Sequence, residues 1–207
     1  MDYFRRKLLK VLAGAAAATS LPAAEDGFEP IFNGKDLTGW EGDSSIWKVE
    51  NGELVGRHQG ISYNDFLASE KSYSNFILRF QIHLVNHSGN SGMQFRSERE
   101  SGSSEMIGYQ ADVGQNYWGS LYDESRRRVV LFQADDKVIK RALKVDDWND
   151  YEVHADGRRI VLKLNGVTTT DYTEKDDSIP LGGRLGAQVH SGPPIESRFR
   201  NIRIKTL

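Results

Sequence analysis

Hydrophobic and polar residues alternate with a period of two along much of the chain, the signature of strands buried on one face. From Phe76 to Leu84 the alternation is interrupted only by Ile77. Phe76, Leu78, Phe80, Ile82 and Leu84 fall on one face, and Arg79, Gln81 and His83 on the other. The same reading predicts strands at Met93 to Arg96, Ile107 to Val113, Arg128 to Phe132, Leu185 to His190 and Arg198 to Ile204. Two Asn-Gly pairs predict hairpins: Asn51-Gly52 within Trp47 to Val55, and Asn165-Gly166 between Ile160 to Leu164 and Val167 to Thr170. In the last strand the apolar set shifts from Phe199 to Ile202 and Ile204, which predicts a bulge near Arg200. Short strands separated by Gly, Asn and Asp turns, with little helical period, predict an all-β fold: a two-sheet antiparallel β-sandwich of jelly-roll type. No linker divides residues 25–207, so they read as one domain.

The first 24 residues break this pattern. Arg5, Arg6, Lys7 and Lys10 precede an uncharged, alanine-rich stretch from Val11 to Ser20. That order predicts an export signal over residues 1–24. Its apolar run is too short to span a bilayer, so no membrane anchor is expected. The Arg5-Arg6 pair resembles a twin-arginine signal, with an ordinary secretory signal as the alternative. Either places the mature chain in the periplasm or outside the cell. Roughly 180 residues would remain, enough to bury a core without staples.

Composition removes several function classes. The 207 residues carry a net charge of -2 and no cysteine. Disulfides, thiolate metal sites and thiol nucleophiles are therefore excluded. Arg126, Arg127 and Arg128 form the one basic run after the leader, which is no footprint for nucleic acid. No G-x-S-x-G, dinucleotide fingerprint or P-loop is present.

Three strands share a pattern that could carry chemistry. In Met93-Gln94-Phe95-Arg96, Tyr109-Gln110-Ala111-Asp112 and Ala187-Gln188-Val189-His190 apolar residues alternate with polar ones. Period two puts Gln94 with Arg96, Gln110 with Asp112, and Gln188 with His190 on faces turned from the core. Were these strands neighbours, one face would hold three amides, a guanidinium, a carboxylate and an imidazole. Sugar hydroxyls need such a mixture of donors and acceptors. The alternative is an ordinary solvated sheet face. Trp118 and Tyr122, in the connection that follows, would either cover a sugar ring or fold inward over the core. Asp123 and Glu124 are adjacent and so point to opposite faces; with Glu98, Glu100 and Glu105 they read as solvated acids. Trp40, Trp47 and Trp148 read as core or edge packing. His58, His83, His87 and His154 lack a His-x-x-x-His spacing, which leaves no sequence-local metal site, while Ca²⁺ on loop oxygens stays open.

A set of ordered motifs resembles a known family. Phe28-Glu29-Pro30-Ile31-Phe32-Asn33-Gly34-Lys35-Asp36-Leu37-Thr38-Gly39-Trp40, Trp47 to Gly56, and Asn90-Ser91-Gly92-Met93-Gln94-Phe95-Arg96 are similar to the opening strands of the 3-keto-disaccharide hydrolase domain. Gly108 to Asp112 and Gly119 to Glu124 match one subgroup, and Gln188-Val189-His190 and Phe199 to Ile204 its closing strands. The resemblance spans residues 28–207. It implies a concanavalin A-like sandwich and activity on glycosides whose ring carries a ketone at C3. Whether a partner oxidoreductase makes the 3-keto sugar first stays open. Many members carry glutamate where this chain has Gln110, so the resemblance assigns no carboxylate there.

A C3 ketone acidifies the C2 proton, because its loss gives an enolate. Elimination of the C1 substituent and addition of water would then amount to hydrolysis. Such a site needs a base, an electrophile and an acid. The sequence offers Asp112 or His190 for proton transfer and Arg96 against developing negative charge. Gln94, Gln110 and Gln188 would orient hydroxyls, and Trp118 or Tyr122 would cover the ring. A divalent metal ion on Asp112 and His190 is the alternative electrophile. A non-catalytic carbohydrate-binding module is the alternative function, because sandwiches of this kind host both.

Overall fold

In the computed structural model the alternating segments pair into two antiparallel sheets. Residues 27–207 are described. The export signal expected over residues 1–24 lies outside them. In chain order the strands are β1 (Glu29–Pro30), β2 (Trp40–Glu41), β3 (Trp47–Glu50), β4 (Glu53–His58), β5 (Asp65–Tyr73), β6 (Phe76–Leu84), β7 (Asn90–Arg99) and β8 (Met106–Gly114). They continue as β9 (Leu121–Glu124), β10 (Val129–Phe132), β11 (Asn149–Asp156), β12 (Arg159–Leu164), β13 (Val167–Thr173), β14 (Gly183–Val189) and β15 (Ile195–Thr206). One helix, α1 (Asp136–Ala142), packs beside β13. The first sheet runs β13-β12-β11-β6-β15-β4-β3, with β1 on β15; the second runs β10-β9-β8-β7-β14-β5-β2.

The predicted core face of β6 is buried at all five apolar positions and meets the inner face of the second sheet. Phe80 and Tyr151 stack at 5.2 Å, which fixes β6 against β11. Burying a large side chain in this way is worth about 1.5–3 kcal/mol. Both Asn-Gly hairpins form, with φ of 53° and 81° at Asn51 and Gly52, and 49° and 80° at Asn165 and Gly166. These are the positive values that a two-residue hairpin of matching twist requires. The bulge near Arg200 is also present: the β15–β6 register shifts between Arg200 and Arg203, and Asn201 takes a φ of 54°.

Two segments depart from the sequence reading. Leu121–Glu124, expected in a connection, is the strand β9 paired between β8 and β10. In β5, Asp65 to Ser69 are buried on both faces, so no alternation marks them in the sequence. The second sheet thus has an outer face far more enclosed than a solvated one.

Candidate active site on the outer face of the second sheet

Strand register builds the site. Gln110 lies opposite Gln94 in β7 and Tyr122 in β9. Asp112 lies opposite Gly92, and Gly92 opposite Gln188 in β14. Because Ala111, Val113, Met93, Ala187 and Leu121 face the core, Gln94, Gln110, Asp112, Tyr122, Glu124 and Gln188 share the outer face. Gly92 makes room for this cluster: a Cβ there would stand 2.7 Å from Gln110 Cγ.

The amides form a chain across three strands. Ser97 Oγ donates to Gln94 Oε1 at 2.6 Å, Gln94 Nε2 to Gln110 Oε1 at 3.1 Å, and Gln110 Nε2 to Gln188 Oε1 at 3.1 Å. Gln188 Nε2 then reaches Glu124 Oε2 at 3.4 Å. All three glutamines are fully buried. They meet on one face as the sequence pattern predicts, but their hydrogen bonds are taken up by one another. In this geometry Gln110 and Gln188 each also reach a carboxylate, Asp112 and Glu124, at 3.4 Å.

Asp112 is 4% exposed. Its Oδ1 accepts from Asn90 Nδ2 at 3.0 Å and from the Val113 N–H at 2.9 Å, with Gln110 Nε2 at 3.4 Å. Burial outweighs those bonds and pushes its pKa up to about 7, with the charge of Glu124 acting in the same direction. The Glu124 pKa is raised as well, by burial and then by Glu105, against the lowering influence of His190 and Gln188. The Tyr122 phenol is raised by burial, Glu124 and Asp112, so it stays protonated and able to donate. His190 follows β14 and is half-buried. Its Nδ1 lies 2.8 Å from the Ser191 carbonyl oxygen, which only accepts, so Nδ1 carries a hydrogen there. The outer face therefore gathers two carboxyl groups whose pKa values are raised, a phenol and an imidazole.

Two residues expected here lie elsewhere. Arg96 has a φ of 48° within a register shift between Phe95 and Glu98. That bulge reverses the alternation, so Ser97 takes the outer face and Arg96 turns to the end of the sandwich. Its guanidinium donates to Ser74 O at 2.8 Å, Gly157 O at 2.7 Å and Asn75 Oδ1 at 3.1 Å. Arg96 thus ties together the β5–β6 and β11–β12 turns and does not face Asp112. Trp118 is 1% exposed, belongs to the core and stacks on His87 at 6.2 Å. It folds inward because the tight turns after Asp112 return the chain to the core. Glu124, read as solvated, is instead the second carboxylate of the site. The alternation of Leu121-Tyr122-Asp123-Glu124 carried its signal, once that segment is taken as a strand. Among the described residues no three His, Asp or Glu side chains are grouped to hold a metal ion, Asp112 and His190 included.

The sequence profile of the 3-keto-alpha-glucoside-1,2-lyase-like domain matches residues 27–205. The chain belongs to that family. A fructan beta-fructosidase of Streptococcus mutans is 26% identical over 141 residues, covering 60% of this chain and 9% of that protein. This chain therefore spans under a tenth of that relative. Among solved structures, a candidate glycosyl hydrolase from Parabacteroides distasonis shares the fold with a TM-score of 0.68, at 20% identity over 87% of this chain and 94% of the other. The carbohydrate binding module CBM66 of Bacillus subtilis matches with a TM-score of 0.60, at 19% identity over 81% and 96% of the two chains. The β-glucanase of Bacillus licheniformis does so at 0.55, with 12% identity over 87% and 97%. Membership of the lyase-like family makes this a carbohydrate-directed β-sandwich. The structural likenesses add the fold alone.

Proposed function

We propose that this domain cleaves glycosides bearing a ketone at C3, by elimination across C1 and C2 followed by addition of water. The observation that carries the reading is Asp112: a buried carboxyl held near pKa 7 by burial, beside Glu124, Tyr122 and the imidazole of His190. A group poised near neutrality passes protons in both directions at working pH.

His190 Nε2 takes the C2 proton, and the C–H electron pair becomes the enolate, with charge on the C3 oxygen. The Tyr122 hydroxyl donates to that oxygen, the task the sequence reading gave to Arg96. The C1–O bond breaks, its electron pair leaves with the oxygen, and a protonated Asp112 or Glu124 supplies the proton. Water then adds at C1, losing a proton to the carboxylate just formed, while the imidazolium returns its proton to C2. The amide chain holds both carboxylates in place throughout.

The purified protein is to be incubated with 3-keto glycosides and their unoxidised parents while release of the aglycone is followed. Cleavage of the keto forms alone is expected. Cleavage of the parents would overturn the elimination chemistry. Binding of both without release would identify a carbohydrate-binding module, the role that CBM66 plays on the same fold.

A further inference from the structure

Asp112 and His190 reach the outer face from different strands, and one residue stands between them. Asn90 opens β7 on the face of Gly92 and Gln94, two positions before the glycine that lies opposite both Asp112 and Gln188. Its side chain and its main chain serve the two groups separately. Asn90 Nδ2 donates to Asp112 Oδ1 at 3.0 Å, and the Asn90 carbonyl oxygen accepts from the His190 N–H at 3.2 Å. A single residue thus spans the carboxyl of β8 and the imidazole that follows β14.

The place of Asn90 is built. Gly114 lies opposite it in β8 with a φ of 146°. A Cβ at Gly114 would stand 3.1 Å from Asn90 Nδ2 and 2.8 Å from the Gly89 carbonyl oxygen, so a side chain there would push on the amide or on the turn behind it. The His190 side is held as firmly. His58 Nε2 donates to the His190 carbonyl oxygen at 2.9 Å, while His58 Nδ1 accepts from the Gly60 N–H at 3.0 Å. The Ser191 N–H donates to Asn64 Oδ1 at 2.9 Å, and Gly192 bridges to Ile61. His58 is buried and belongs to β4 of the first sheet, so the His190 backbone is tied to both sheets.

The two oxygens of Asp112 are not equivalent. Oδ1 accepts all three hydrogen bonds of the carboxyl, from Asn90, the Val113 N–H and Gln110. Donors aimed at Oδ1 favour negative charge on it and leave it no place for a proton. Oδ2 accepts from none of the described residues, so it carries the proton when the carboxyl is neutral. Burial raises the pKa of the group and the three donors lower it, Asn90 foremost among them. The titratable groups packed around it are Glu124 and Tyr122 from β9, Tyr151 from β11 and His190 beyond β14. Of these, Glu124 acts in the same direction as burial.

We infer that Asn90 is a positioning residue for proton transfer: its amide anchors Asp112 Oδ1 and leaves Oδ2 to exchange the proton, while its carbonyl fixes the backbone of His190. The inference rests on the proposed elimination only for the destination of that proton. The anchoring of Asp112 needs no substrate.

The test is a carboxyl-carbon NMR titration of the protein, with the Asp112 signal identified by its loss in Asp112→Asn. The unmodified protein is expected to show a midpoint of about 7. Asn90→Ala removes the side-chain donor and keeps the carbonyl, so the midpoint should rise by about one pH unit, the scale of a hydrogen bond to a carboxylate. Asn90→Ser, too short to reach Oδ1, should move it alike and takes the place of the alanine variant if that one does not fold. Arg96→Met loosens the same strand away from the carboxyls and should leave the midpoint where it was. An unmoved midpoint in the Asn90 variants, or an equal shift in Arg96→Met, would overturn the anchoring. Turnover of 3-keto glycosides is scored separately. With Asp112 as the acid, the alkaline limb of the pH–rate profile should rise with the midpoint, and a limb that does not follow it would remove the role in proton transfer. A shifted midpoint without turnover by the unmodified protein would remove the elimination and leave the anchoring standing. Turnover with an unmoved midpoint would remove the role of Asn90 alone.

Discussion

Asp123 and Glu124 are neighbours on β9, both buried and acidic, and their surroundings are opposite. Asp123 turns inward. Arg126 Nε donates to its Oδ1 at 2.9 Å, and Arg127 bridges it to Glu174, reaching Glu174 Oε2 at 2.6 Å. Tyr109 donates to the same Glu174 oxygen at 2.7 Å, while Arg126 lies 4.6 Å over the Tyr109 ring. Burial would raise the Glu174 pKa, yet hydrogen bonds from Arg127 and Tyr109 hold it at about 2. Glu124 turns outward, to Asp112 and a chain of neutral amides, and both carboxyls there are pushed up. Each region buries a pair of acids. The inner pair is matched by guanidinium groups, while the outer pair is not, and burial pushes both of its carboxyls up. Matched charge makes a clamp between the two sheets. Acids held by amides alone make a place for chemistry, at a cost in stability.

The contrast breaks most sharply at Asp112. Asp112→Asn should lower turnover about 10³-fold, within the usual range for a lost acid or base. The same change should stabilise the fold on the alkaline side. The folded pKa of about 7 lies above the unfolded value of roughly 4, so the neutral carboxyl is the form the fold favours. Its stabilising contribution is complete below pH 4 and is lost as pH rises through 7. Thermal melts at pH 5 and pH 8 should show wild type falling behind the variant at the higher pH, by on the order of 2 kcal/mol. Melts of equal pH dependence would move the raised carboxyl away from Asp112.

The inner region should respond in the opposite sense. Arg127→Met leaves Asp123 and Glu174 short of their shared cation, and urea unfolding should show a loss of about 3–5 kcal/mol. A loss below 1 kcal/mol would mean that the clamp is too solvated to matter.

Arg96 sharpens the comparison with the smallest effect. Arg96→Met removes three hydrogen bonds between turns and should cost about 2 kcal/mol of stability. kcat/KM per folded molecule should change by less than about threefold, because the guanidinium does not reach the carboxylates. A hundredfold fall in properly folded protein would return Arg96 to the reaction.

Much of this was legible in the alternation. The β6 face, both Asn-Gly hairpins and the bulge at Arg200 all follow from side-chain period and turn chemistry, which act over a few residues. Gln94, Gln110, Asp112, Gln188 and His190 were marked by the same period and do converge. What the alternation misplaced lies where a single backbone event reverses it. The bulge at Arg96 exchanged that residue with Ser97, and the paired β9 turned a presumed loop into a strand that presents Tyr122 and Glu124.

The sequence alone determined the sandwich, the family and the polar stripe, because local periodicity and ordered motifs are properties of the chain itself. Only the tertiary structure decided which stripe residues are free to act. Strand order set Glu124 against Gln188, residues 64 positions apart in the chain. Burial then set the charge of Asp112, and the chain's return to the core hid Trp118. These depend on the distances and dielectric created when distant strands pack, and period-two reading carries no information about either.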